Sequence, residues 1–244
     1  MRKWSLLAGC SLLAACAATT RNKPAPTASQ TPAPVHPPLW GDAFYAPFHT
    51  SEYASGASLT IPSRAEDVDT GLLSAAVFVE TNAARTREGV PAVEFQPQLR
   101  QAAQDFAQDM VRLNFFAHEG PDPSRRTWDD RMRLVGLTTP SGGENIAMVI
   151  GLEYPSGRPF SLPSSPGDPY RDPQGVVIPI RTYQGLAQAV VKDWLASPQH
   201  RANLLDRDWT HLGAACSEFS GTAGVATFKC VQEFAKLPGS GSKT

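Results

Sequence analysis

"GGENIAMVI", residues 142–150, sets an acid between a glycine pair and an apolar run. Residues 145–150 read as a buried strand, and a carboxylate at its entrance costs free energy unless a partner meets it. Two of the few candidate partners are histidines, His118 in "NFFAHEG" and His200 in "SPQHRANLL". A lone histidine is usually structural, but two at helix boundaries and a glycine-flanked Glu144 are the residue types that build a polar cleft. Imidazole titrates near neutrality and is the commonest metal ligand. Two imidazoles can hold a divalent ion such as zinc, with water or carboxylate completing its shell. Glu144 would then orient an imidazole N–H or accept a proton from bound water. The plainer alternative has Glu144 capping the backbone of the glycine-rich turn, and the two readings are compatible.

Local signals on either side of that stretch predict a domain over 69–236, about 170 residues and enough for one sizeable core. Thr70 is the expected cap of a helix through Arg87, with Leu72, Ala76, Val79 and Ala83 on one face and Gly89 ending it. Pro97 opens a second helix whose Leu99, Ala103, Phe106, Met110 and Leu113 keep the spacing of a buried stripe. Thr127 precedes a short third helix, and Thr182 one with Leu186, Val190 and Trp194 inward. Ser197 and Pro198 suit the cap and first residue of the helix carrying His200. Strands fit at 145–150, 212–218 and 226–234, with a short one near 92–95. His211 opens one of them. The Pro- and Gly-rich stretch 152–181 reads as an inserted surface loop.

The chain starts "MRKWSLLAGCSLLAAC": two positive charges, an apolar run too short to span a bilayer, then small residues before a cysteine. Residues 1–15 are the expected signal peptide and Cys16 the expected site of lipidation, with an ordinary secretory leader as the alternative. Residues 16–68 hold seven prolines up to Pro47 and form the expected tether. His36 and His49 fall in it and are set aside. Residues 237–244 are the expected disordered tail. A lipidated chain would sit on a bacterial outer membrane or cell surface. Without residues 1–15, 20 basic residues stand against 23 acidic ones, and no basic run points to a nucleic-acid partner.

Beyond Cys16 only Cys216 and Cys230 remain, in two stretches that look like neighbouring strands. Export makes a disulfide the default, worth roughly 3 kcal/mol in the chain-entropy picture. Two buried thiols on opposite faces are the alternative, and two cysteines at this spacing make no zinc knuckle.

Four stretches carry a resemblance. "VFVETNAARTREGVPAVEFQPQLRQAAQDFAQDM", "NFFAHEG", "GGENIAM" and "DWLASPQHRANLL" with "HLGAACS" are similar to motifs of the CAP superfamily. That superfamily holds cysteine-rich secretory, antigen 5 and pathogenesis-related 1 proteins, and the likeness is to its bacterial SCP-domain branch, over roughly residues 72–234. The resemblance implies an α+β fold, a three-layer α-β-α sandwich with an antiparallel central sheet. It also implies a cleft of two His and two Glu, sometimes occupied by zinc. Matching positions here are His118, Glu144 and His200, with His118 and His200 as the metal ligands. The second Glu commonly lies three residues after the tryptophan matching Trp194, where this chain has Ser197.

Two functions follow as expectations. One is an envelope-anchored, non-enzymatic module that binds a small apolar molecule, a lipid or sterol-like ligand, or an envelope protein. The other is a metal-assisted hydrolase of peptide or cell-wall material. The missing second Glu and the absence of HExxH and GxSxG motifs weigh against the hydrolase.

Overall fold

The computed structural model describes residues 68–138, 141–155, 157–165, 167–220 and 225–237. The expected signal peptide, Cys16, all of the tether but Val68, and the tail past Leu237 lie outside the described residues.

Helix α1 spans Thr70–Arg87 and α2 spans Pro97–Arg112, with the two-residue strand β1 (Glu94–Phe95) between them. Helix α3 covers Trp128–Leu134, strand β2 Gly142–Ile150, helix α4 Tyr183–Ala196 and helix α5 Pro198–Leu204. Strands β5 (His211–Ser220) and β6 (Ala226–Ala235) close the domain, and β3 (Tyr170–Arg171) and β4 (Val177–Ile178) pair within the insertion. The main sheet runs β1-β5-β6-β2, so β2 is an edge strand. Both long pairings are antiparallel, but β1 runs parallel to β5 with Glu94 opposite His211, so the sheet is mixed rather than wholly antiparallel.

Alternation along the strands builds the three layers. Ala147, Val149, Phe228, Cys230 and Phe234 share one core with Leu72, Phe78, Leu186, Val190 and Trp194 of α1 and α4. Ile146, Ala215 and Val231 point the other way, onto Ala103, Phe106 and Met110 of α2. Cys216 and Cys230 are direct cross-strand partners joined by a disulfide inside the first core. Gly213 lets α2 lie on β5: a Cβ there would fall 1.9 Å from the Arg100 backbone nitrogen.

Helix starts follow the local signals with two corrections. Asp69, not Thr70, caps α1: its carboxylate accepts the Leu72 N–H at 2.9 Å and its own N–H donates to the Tyr183 hydroxyl at 2.7 Å. That second bond ties the cap to α4, a tertiary contact no local pattern carries. Ser197 stands at the start of α5, but its hydroxyl accepts no cap bond there. Thr127 and Asp130 form a reciprocal capping box on α3, and Thr182 caps α4 through the Gly185 N–H. Leu113 follows the last residue of α2 and is exposed rather than buried.

The insertion is less irregular than its composition suggests. Leu152 and Ile178 pack with Val225, flanked by Ile150, Tyr154, Phe160 and Tyr170. This minor core sits at the Ile150 end of β2, about 20 Å of extended strand from Glu144.

Candidate functional site

Glu144 lies inside β2 rather than ahead of it, on the same face as Ile146, directed toward the α2–α3 layer. The glycines before it are seats for neighbours on opposite faces. A Cβ on Gly142 would fall 1.9 Å from the Trp128 ring, and one on Gly143 would fall 2.2 Å from Asn203 Oδ1. Helices α3 and α5 therefore both close on the strand where the acid sits.

His118 comes from the segment after α2. That helix turns off at Asn114, in the left-handed region with φ of 51°. Buried Lys229 of β6 donates to the carbonyls of Met110 at 2.7 Å and Phe115 at 2.9 Å, pinning the turn to the sheet. His118 Nδ1 then lies 2.7 Å from Glu144 Oε1. An ionised carboxylate only accepts, so Nδ1 carries the proton. This hydrogen bond, outweighing partial burial, holds the His118 pKa above its ordinary 6.5.

The other Glu144 oxygen, Oε2, accepts from Arg131 Nη2. Arg131 is 3% exposed, donates through Nη1 to the carbonyls of Arg126 and His118, and lies 3.6 Å above the centre of the Phe106 ring. Burial of the acid is thus offset by a charge-assisted pair and an imidazole together. His200 approaches around the edge of β2. Asn145, pointing to the opposite face from Glu144, donates to the His200 carbonyl at 3.1 Å and is itself held by Asn203 Nδ2. The His118 and His200 rings stand 6.4 Å apart, centre to centre. Burial, then the nearby His118 charge, pushes the His200 pKa down.

All three expected site residues therefore gather at one place, with Glu144 meeting His118 directly. His211 does not join them; it pairs with Thr210 Oγ1 and faces Glu94 at the far edge of the sheet. Sequence reasoning missed Arg131, Trp128 and Glu233. Trp128 and Arg131, with His118, Glu119, Thr127, Asp129, Gly142, Gly143 and Glu144, line an open cleft of about 360 Å³. Its walls mix polar and apolar surface in near-equal parts, and none of the described residues of the insertion reaches it.

Among the described residues no three His, Cys, Asp or Glu side chains are grouped to hold a metal. Two imidazoles are at hand, while both oxygens of Glu144 are engaged by Arg131 and His118. That is one protein ligand short of the three a catalytic zinc takes, so the residues do not fit such a centre.

Fold and site together define a class: an α-β-α sandwich that sets an imidazole–carboxylate cleft on the edge strand of its sheet. The family model for the cysteine-rich secretory protein family, CAP, matches residues 79–234, and the chain belongs to that family. It is 27% identical over 138 residues to the uncharacterized protein YkwD of Bacillus subtilis, a stretch covering 57% of this chain and 40% of that protein. Among solved structures it is similar to an extracellular SCP-domain protein of Bacillus anthracis, at 22% identity and a TM-score of 0.45 over 68% of this chain and 40% of that one. It is also similar to an outer surface protein of Borrelia burgdorferi, at 16% identity and a TM-score of 0.46 over 70% of this chain and 97% of that one. The chain spans less than half the length of the two Bacillus proteins.

Proposed function

We propose that this CAP-domain protein is an exported, envelope-anchored binding module that catalyses no reaction, with the cleft lined by His118 and Glu144, and flanked by His200, as its binding site. One observation carries the reading: both oxygens of Glu144 are committed, to Arg131 and to His118. Each oxygen keeps a second lone pair, but a donor on each and a side chain only 6% exposed hold the carboxylate as an orienting group for His118 rather than as a base set against a substrate proton. What faces outward is the 56%-exposed His118 side chain, above a cleft whose walls mix polar groups with the Trp128 ring. Such mixed walls suit an amphiphilic group, the headgroup region of a lipid or a polar surface of an envelope protein. A wholly apolar molecule would leave their donors and acceptors unpaired. Anchoring through Cys16 would bring the cleft within reach of such partners.

Native mass spectrometry of full-length protein, purified without chelator or His-tag, tests this. The expected result is a lipid or protein adduct that weakens in His118→Ala. Hydrolysis of peptidoglycan or casein that disappears in Glu144→Gln would overturn the reading. So would stoichiometric zinc in the wild type that is lost in both His118→Ala and His200→Ala.

A further inference from the structure

Directly opposite Glu144 across the β2–β6 pair stands a second acid, Glu233. Side chains in such a register are about 4.5–5.5 Å apart at Cβ, and like charges there repel. Glu233 is 0% exposed, and the Glu144 side chain is 6% exposed. One buried cation serves both, and it serves them unequally. Arg131 Nη2 is bonded to Glu144, while Arg131 Nε stays 3.7 Å from Glu233 Oε1, outside hydrogen-bond reach. Among the described residues, neither oxygen of Glu233 makes a well-formed hydrogen bond, and the indole N–H of Trp128, the neutral donor beside it, is likewise unbonded. Two buried carboxylates beside one guanidinium leave an uncompensated negative charge where water does not reach, and a proton removes it. Glu144 is bonded to Arg131 and His118, while Glu233 makes no formed hydrogen bond and is the better seat for the proton.

We infer that Glu233 is a positioning residue of the cleft: it remains protonated in the folded protein and gives its O–H hydrogen bond to Glu144, steadying that carboxylate against Arg131 and His118. The cleft thereby has a second carboxyl, supplied from beneath the sheet surface rather than from the position Ser197 occupies. Burial first, then the Glu144 charge, lifts the Glu233 pKa well above the ordinary carboxylate value, with Arg131 and the Trp128 indole opposing. The charged groups facing Glu233 are Glu144 from β2 and Arg131 from α3. Its partner on β5 is Gly213, α2 offers Phe106 beneath the guanidinium, and Lys229 on its own strand is engaged by the Met110 and Phe115 carbonyls. The inference rests on the proposed cleft only in taking Glu144 as the group positioned, and its readouts involve no ligand.

Three measurements on the full chain test it. Infrared spectra of the wild type at pH 7–8 should contain the C=O stretch of an un-ionised carboxyl, absent in Glu233→Gln. No such band in the wild type would overturn the inference. Unfolding at a series of pH values supplies the second. A carboxyl whose pKa is raised on folding loses stability as pH climbs from the unfolded value, near 4.3, to the folded one. Glu233→Gln removes that dependence, so its folding constant should gain on the wild type by up to about tenfold per pH unit across this window. Parallel curves would refute a protonated Glu233. The third separates positioning from packing. Glu233→Gln, still a donor, should leave the His118 titration by NMR as in the wild type, whereas Glu233→Val should lower its midpoint. An unmoved His118 in Glu233→Val would end the positioning role.

Discussion

Replacing Arg131 by Met keeps most of the side-chain volume and deletes the buried guanidinium bonded to Glu144. Arg131 is 3% exposed and the Glu144 side chain 6%, so water cannot readily take over the lost interaction. Removing one member of a buried ion pair costs about 3–5 kcal/mol, because the remaining charge stays buried and unpaired. Loss of the cation stacked on Phe106 adds about 1 kcal/mol, which the Met side chain partly recovers by packing on the same ring. The expected penalty is therefore about 4 kcal/mol, against a total stability of about 5–15 kcal/mol for a domain. Urea unfolding with linear extrapolation reads it: the midpoint should fall by about 2 M with little change in slope. The double variant Arg131→Met, Glu144→Gln should regain at least 1–2 kcal/mol of that loss, roughly, since the stranded charge is gone. A single-variant penalty under about 1 kcal/mol, or strict additivity in the double variant, would refute the buried-pair reasoning.

Two further outcomes follow from the packing. Cys216→Ala with Cys230→Ala opens a cross-strand disulfide between residues 14 apart and buried among apolar side chains, and should lower stability by roughly 3 kcal/mol in thermal or denaturant unfolding. A loss below about 1 kcal/mol would mean the strands hold their register without it. Gly213→Ala drives a methyl group into the backbone of α2 at Leu99 and Arg100, and the expected cost is about 1–3 kcal/mol or failure to fold. Wild-type stability in that variant would contradict the close approach of α2 to β5.

Much of the fold is legible in the chain because its signals are local. Pro97, Thr127 and Thr182 mark helix starts that the backbone obeys, since a cap or a fixed φ acts within one turn. Asp69 escaped because Thr70 beside it is also a cap residue, and the choice was decided by a bond to Tyr183, 114 residues away. The site divides similarly. His118, Glu144 and His200 stand in recognisable motifs. Arg131 does not: in "WDDRMRL" it reads as one of several charges on a solvated helix, and only the closure of α3 over Gly142 turns it inward. Glu233 did leave a signal. In "KCVQEFA" it shares the period-two face of Val231 and Ala235, and an acid on an apolar face asks for a buried partner. The partner could not be named, because strand register is set by the whole sheet rather than by either segment.

The His118–Glu144 contact is the centre of the site, and the NMR titration of the His118 ring in wild type and Glu144→Gln tests it most directly. The hydrogen bond to Glu144 raises the His118 pKa above 6.5. The stability it contributes is therefore fully present below that unfolded value and fades as pH rises through the folded one. The expected result is a wild-type midpoint above 6.5 that drops in Glu144→Gln, with the pH dependence of unfolding flattening in step. Superimposable titration curves in the two proteins would contradict the pairing of His118 with Glu144.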